Sequence, residues 1–260
     1  MENDNSLFSE LFGDDEDSHP GEHKSENDSV SDDILKVLQD CIVRSKHLDG
    51  FTPLKEETHV PGLALYRRAL NPDLCSRYFD WLSSEYFSQT PQLGLECSQE
   101  PRLNQGMHFG SLNDANTPFG YLAELSQTLQ ELLPAKLCQR EVMFDQAIIN
   151  LYDAGEGIGD HIDLLRFADG IVGFSFGSAA TMRLRPVVDA SDRERAAHYA
   201  EELHDTCASE VTIRLQPGDV YALSGDARMQ WTHGFPAFVD GAANVSSRRI
   251  SVTLRKLQDD

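Results

Sequence analysis

Arg249-Ile250-Ser251-Val252-Thr253-Leu254-Arg255 alternates polar and apolar residues without a break. Successive side chains of a β-strand point to opposite faces, so Arg249, Ser251, Thr253 and Arg255 share one face and Ile250, Val252 and Leu254 the other. The apolar face calls for a hydrophobic core. The opposite face is harder to place, because burying a guanidinium group is costly unless it meets an anion. Arginine's planar fork matches a carboxylate better than any other side chain. The stretch therefore predicts a sheet with a core on one side and, on the other, a polar pocket suited to a dicarboxylate.

Upstream, the same period of two recurs over roughly 142–152, 171–176, 180–185, 211–215, 219–223 and 229–235, with 248–256 as the last strand. Gly177-Ser178, Pro217-Gly218 and Ser224-Gly225-Asp226 supply turns between them. The polar segment 189–210 reads as an inserted surface helix. Before Arg140 the period is helical. Ile34, Leu38, Cys41 and Ile42 recur at helical spacing behind Asp32-Asp33; Asn71-Pro72 caps a helix carrying Leu74, Tyr78, Trp81 and Leu82; Thr117-Pro118 caps another whose stripe runs Leu122, Leu125, Leu129 and Leu132 to Pro134. The fold class expected is mainly β with flanking helices, a double-stranded β-helix or jelly roll. Its catalytic core spans about 140–256 within a domain over 32–260.

Within that half, His161-Ile162-Asp163 presents an imidazole and a carboxylate at i and i+2, which a strand projects from one face. A second histidine stands downstream in Trp231-Thr232-His233-Gly234-Phe235, read as a strand end after a long loop. Two histidines and one aspartate make the facial triad of non-heme iron(II) oxygenases, which leaves three positions open for a chelating co-substrate and oxygen. Zinc uses the same ligand types, so the triad alone leaves a hydrolytic site open. The arginine strand favours the oxygenase, and Asn150 and Tyr152, i and i+2 on the strand leading to the triad, add an amide and a hydroxyl to the same pocket.

The chain's 260 residues carry a formal net charge of -21, which opposes non-specific binding to a phosphate backbone. Much of that charge lies in residues 1–31, which are rich in Ser, Asn, Asp and Glu and are expected to form a disordered acidic tail. A nucleic-acid substrate for the remainder stays open. Leu7, Phe8, Leu11 and Phe12 interrupt the tail at helical spacing and would suit a protein partner. The five cysteines form no CxxC pair, so reduced thiols are expected. No stretch reaches the roughly 20 apolar residues needed to cross a bilayer, and no signal peptide is legible. A monomeric intracellular protein of cytoplasm or nucleus, without membrane contact, is expected.

These motifs, in this order, resemble the AlkB-like family of Fe(II)- and 2-oxoglutarate-dependent dioxygenases. The resemblance runs over about 60–256 and is carried by Asn150-Leu151-Tyr152, Gly155-Glu156-Gly157-Ile158, His161-Ile162-Asp163, Phe174-Ser175-Phe176-Gly177-Ser178, Pro217-Gly218-Asp219, His233-Gly234 and Arg249 through Arg255. It implies Fe(II) on His161, Asp163 and His233, and 2-oxoglutarate held by Asn150, Tyr152, Arg249, Ser251 and Arg255, with O2 as the oxidant. By the same resemblance Arg249 meets the distal carboxylate and Arg255 lies near the chelating end. Ser251 stands where bacterial repair members commonly carry an asparagine.

A larger departure is Leu165, at a position that nucleobase-repair members fill with an acidic residue. Direct repair of methylated adenine or cytosine in DNA is therefore not expected. Similarity leans toward the branch with the transfer-RNA wobble-uridine hydroxylase, whose further RNA-binding and methyltransferase domains are not expected here. Asn104 through Gly110 resembles a substrate lid, and Met107, Phe109 and Arg166 are the expected substrate contacts. The function implied is hydroxylation or oxidative demethylation of a macromolecule, nucleic acid first and RNA before DNA. The alternatives are a protein hydroxylase or demethylase, and a non-catalytic protein that recruits partners through its acidic tail.

Overall fold

The computed structural model describes residues 26–45, 52–87, 104–187, 210–237 and 248–258. The Leu7–Phe12 motif and the inserted segment 189–209 lie outside the described residues.

Two antiparallel sheets face each other. The larger contains β1 (Leu54–Glu56), β2 (Leu63–Arg67), β3 (Gln105–Phe109), β4 (Gln146–Tyr152), β6 (Ile171–Gly177), β9 (Val220–Leu223) and β11 (Arg249–Arg255), in the order β1-β2-β9-β6-β11-β4-β3. The smaller contains β5 (Ile158–His161), β7 (Ala180–Pro186), β8 (Val211–Leu215) and β10 (Trp231–Phe235), in the order β5-β10-β7-β8. This is the expected jelly-roll arrangement, with the neighbours of most strands distant in sequence. No helix among the described residues is long and apolar enough to cross a membrane.

The opening stretch sits in the middle of the larger sheet, between β4 and β6, with Ser251 opposite both Asn150 and Ser175. Its apolar face, Ile250, Val252 and Leu254, joins Phe174, Phe176, Ile149 and Leu151 in a core covered by helices. Those helices are α1 (Glu26–Ser45), α2 (Pro72–Phe87), α3 (Pro118–Thr128) and the short α4 (Ala135–Cys138). Tyr78 of α2 stacks on Phe176 at 5.3 Å between ring centroids. Both expected caps form, with Asn71 Oδ1 accepting from Leu74 N at 2.8 Å and Thr117 Oγ1 accepting from Gly120 N at 3.1 Å. A second core fills the space between the sheets, where Leu63, Leu65 and Leu223 meet Met182, Leu184, Ile213 and Leu215.

Several boundaries differ from expectation. α1 starts at Glu26, so the acidic stretch runs on into a helix whose N-terminal end favours negative charge. The third helix stops at Thr128, because Leu129 turns extended and Glu131 takes a φ of 57°; Leu132 packs from the following turn. The strand expected from 142 begins at Gln146. The one expected from 229 begins at Trp231, after a single helical turn, α5 (Asp226–Met229). β1, β2 and β3 were not foreseen, and the strand expected to carry His161 through Asp163 runs instead over Ile158–His161 as β5. The Pro217-Gly218-Asp219 motif proves structural: buried Asp219 accepts from Gln216 N, Arg68 N and Arg67 Nη1 at 2.9, 3.0 and 2.6 Å, tying the turn before β9 to the end of β2.

Candidate active site

His161 and His233 come from neighbouring strands of the smaller sheet and are register partners, with ring centroids 4.5 Å apart. His233 lies in the middle of β10, where a strand end was expected. His161 is the last residue of β5, so His161 and Asp163 do not share a strand face as anticipated. Asp163 lies in the following loop, and the fully buried Arg228 holds that loop in place. Arg228 donates to the carbonyls of Asp163, Leu164 and Phe167 at 3.0, 2.9 and 3.0 Å. Ligand atoms of His161, Asp163 and His233 all lie within 4.8 Å of one another.

The protonation states suit a divalent metal. His161 Nδ1 lies 2.9 Å from the Gly159 carbonyl, which can only accept, so that nitrogen carries the proton and Nε2 is left as ligand. Burial, with His161 and Arg255 nearby, pushes His233 down to about 3 against the pull of Asp163, so its imidazole is neutral. Burial opposes charge on Asp163, but Arg255, the two histidines and Arg228 outweigh it and hold the carboxyl far below its usual range. Arg255 Nη2 is in direct contact with Asp163 Oδ1, and Oδ2 is 3.4 Å from His233 Nε2.

Register places the residues expected to hold the co-substrate on the inner face of the larger sheet, opposite this cluster. Arg249 pairs with Tyr152, Ser251 with Asn150, and Arg255 with Gln146. Arg249 is buried; its Nε donates to Ser175 Oγ at 3.1 Å and its guanidinium lies 4.1 Å from the Phe235 ring centroid and 5.1 Å from that of Tyr152. Asn150 Oδ1 accepts from Gln105 Nε2 at 2.7 Å. Arg249 Nη2, Arg255 Nε, Arg228 Nε, Gln146 Oε1 and Asp163 Oδ2 are all buried without a hydrogen-bond partner among the described residues. Leaving such groups unsatisfied is costly, and a bound metal with an anionic chelator would satisfy Asp163 Oδ2 and Arg249 Nη2. The donor set and the unpartnered Arg249 Nη2 thus fit Fe(II) and 2-oxoglutarate.

The family model described as the 2OG-Fe(II) oxygenase superfamily matches residues 81–255. The chain belongs to this superfamily. The oxygenase is AlkB-like in sequence: it is 32% identical over 121 residues to the protein named alkylated DNA repair protein ALKBH8 homolog of Arabidopsis thaliana, a match covering 44% of this chain and 35% of that protein. An uncharacterized protein of Acanthamoeba polyphaga mimivirus is 25% identical over 138 residues, covering 51% and 57% of the two chains. The matches thus span only about one third to somewhat over half the length of these relatives. Among solved structures, OsALKBH1 aligns over 78% of this chain and 100% of that one, at 16% identity and a TM-score of 0.49. HygX from Streptomyces hygroscopicus, with nickel and 2-oxoglutarate bound, aligns over 75% and 82%, at 12% identity and a TM-score of 0.42.

The expected substrate contacts come from two places, β3 and the loop that follows β5. Met107 and Phe109 lie on β3, a strand where a loop was expected, opposite Ile148 and Gln146 and so on the same sheet face as Arg255. Phe109 is 62% exposed. Arg166 is half-buried over the Phe167 ring at 5.1 Å, and Arg255 sits 4.9 Å from the same ring. Arg183 and Arg185 pair with Asp160, and Arg185 also with Glu210, which engages them away from the triad. Two functional residues escaped sequence reasoning. Phe235 was legible as i+2 from His233; Arg228 had only the weak signal of a lone arginine between strands.

Proposed function

We propose that this oxygenase hydroxylates or oxidatively demethylates a nucleic acid, RNA in preference to DNA. The observation that carries the reading is Phe109, an exposed aromatic ring on the face that bears Arg255. An aromatic at the rim of an oxidising site is a stacking platform for an unpaired base, and single-stranded RNA offers such bases more readily than duplex DNA. Leu165 is 44% exposed, and Arg166 next to it carries the positive charge that a phosphate needs. Similarity to a relative named for alkylated DNA repair supports a nucleic-acid substrate. A protein substrate is the second reading. The net charge of -21 favours it, since an acidic surface attracts a basic partner.

His161, Asp163 and His233 would hold Fe(II), and Arg249 would take the distal carboxylate of 2-oxoglutarate. When bound, the metal and co-substrate supply the oxidising power that couples O2 and loss of carbon dioxide to hydroxylation of a C–H bond. The chain's own residues do the rest. Arg255 fixes Asp163 through Oδ1 and so leaves Oδ2 turned toward His233. Phe235 and Tyr152 wall the Arg249 guanidinium from water, which strengthens its pairing with a carboxylate. Phe109 would orient the base over the opening. Where the hydroxylated carbon is an N-methyl group, the product releases formaldehyde and the outcome is demethylation.

The test is succinate formation with Fe(II), 2-oxoglutarate and O2, in the presence of single-stranded RNA, DNA of the same sequence, or basic peptides, with mass spectrometry of the recovered substrate. RNA should stimulate turnover most, and Phe109→Ala should weaken that stimulation while basal succinate formation persists. Stimulation by basic peptides alone would overturn the reading in favour of the second.

A further inference from the structure

Tyr221 of β9 is the register partner of Gly173 on β6, and Gly173 in turn faces Thr253 on β11. A Cβ built on Gly173 would lie 2.2 Å from Cζ of Tyr221 and 2.5 Å from its hydroxyl oxygen. The far end of the phenol therefore lies across Gly173, reaching from β9 toward the middle of the arginine strand, and only glycine leaves room for it. Tyr221 is buried, and its ring centroid is 6.4 Å from that of Phe235, the ring that also carries the Arg249 guanidinium at 4.1 Å. Arg249 leans along the same face, with its Nε on Ser175, two residues from Gly173. Phe235 thus has Arg249 and Tyr221 as neighbours, and Arg249 keeps Nη2 without a partner among the described residues.

A tyrosine spending its bulk between two sheets would normally be replaceable by phenylalanine, since a buried hydroxyl is costly unless it is hydrogen-bonded. Here the hydroxyl end is the part for which Gly173 makes space. Burial also pushes the phenol up to about 12, so it is a hydrogen-bond donor across the physiological range. A donor on the same sheet face as Arg249, whose Nη2 is buried without a partner among the described residues, is suited to an anion that needs more than one partner.

We propose that Tyr221 is a co-substrate-binding residue whose hydroxyl donates to the distal carboxylate of 2-oxoglutarate beside Arg249, with Gly173 providing the space that lets it reach. Arg249 supplies charge from one side and Tyr221 a second, directional contact from the other. The proposal concerns the co-substrate alone and does not depend on which macromolecule is oxidised.

The experiment is calorimetric titration of the Mn(II)-loaded full chain with 2-oxoglutarate and with 2-oxopentanoate, which has the same oxo-acid end and no distal carboxylate. Tyr221→Phe should lose about tenfold in affinity for 2-oxoglutarate, the scale of a hydrogen bond to a charged group, and show the same affinity as wild type for 2-oxopentanoate. Its thermal midpoint without ligand should match wild type. Gly173→Ala, which displaces the ring, should reproduce the selective loss. Unchanged 2-oxoglutarate affinity in Tyr221→Phe would overturn the proposal, as would an equal loss for both ligands, since that is the signature of a purely structural role.

Discussion

Arg255 and Asp163 form a buried ion pair in which Arg255 Nη2 contacts Asp163 Oδ1, one strand of the larger sheet thereby gripping the metal-binding loop that follows β5. Removing one member of a buried pair strands the other, typically at about 3 kcal/mol or more. Asp163→Ala should therefore lower the stability of the metal-free protein by roughly 3 kcal/mol. His161→Ala, which leaves no charge unpaired, should change it by less than about 1 kcal/mol. Both should abolish Mn(II) binding. Denaturant unfolding in the presence of a chelator separates the two effects, and equal destabilisation by both substitutions would contradict the Arg255 assignment.

Arg249 presents the reverse case. It is buried with one nitrogen unpartnered among the described residues, a cost that an anionic co-substrate would relieve. Replacing a buried charge with an apolar residue of similar volume is often neutral or stabilising. Arg249→Met should keep or raise the thermal midpoint of the ligand-free protein, while 2-oxoglutarate affinity falls by about a hundredfold, as expected for a charged pair truncated on one side. Thermal melts with and without 2-oxoglutarate read both outcomes. A destabilised Arg249→Met with wild-type affinity would show that the guanidinium serves only the fold.

Acid should weaken the metal-free protein in a defined window. In the unfolded chain a histidine titrates near its ordinary 6.5, whereas His233 in the fold is pushed down to about 3 by burial and its cationic neighbours. Between those values the unfolded state binds the extra proton, so stability falls as pH drops through this range. The loss should amount to about 2 kcal/mol between pH 6.5 and pH 5. Asp163, whose folded value is also depressed, acts in the same direction below about pH 4, where the unfolded carboxylate begins to protonate. Urea unfolding at the two pH values, in wild type and in His233→Gln, checks this. The variant should lose most of the slope.

The sequence carried the inner face of β11 because period-two alternation is a local signal: Arg249, Ser251 and Arg255 lie where the pattern put them, and Ile250, Val252 and Leu254 face the helix-side core. It carried the grouping of His161, Asp163 and His233 because their residue types and order are restrictive, though not the geometry that unites them. Nothing local reveals that Asp163 leaves the strand after His161, since that depends on Arg228 reaching three carbonyls from 61 to 65 residues away. β1 is a three-residue edge strand with every residue exposed, so it has no apolar alternation to read. β3 was hidden for a related reason. Its pairing with β4 brings Gly106 and His108 to the helix side, where His108 packs against Phe119 at 5.0 Å, and neither residue marks a buried face by its type.

Arg228 gives the last prediction. Its guanidinium satisfies three backbone carbonyls of the loop that carries Asp163, and it is 1% exposed. A lysine presents a compact ammonium in place of a planar fork, so it cannot span three acceptors spread along the Asp163–Phe167 turn. Arg228→Lys keeps the charge near Asp163 but should leave at least one buried carbonyl unsatisfied, at a cost of about 1–3 kcal/mol. The looser loop should also weaken Mn(II) binding by tenfold or more, the scale on which partners that orient metal ligands act. The control is Arg255→Lys, which touches the Asp163 carboxylate without holding the backbone. It should weaken metal binding with little effect on hydrogen-exchange protection of residues 163–167, whereas Arg228→Lys should lose that protection. Full protection in Arg228→Lys would show that the loop is held by its own turn, through the Phe167 N to Leu164 O hydrogen bond of 3.0 Å, and not by the arginine.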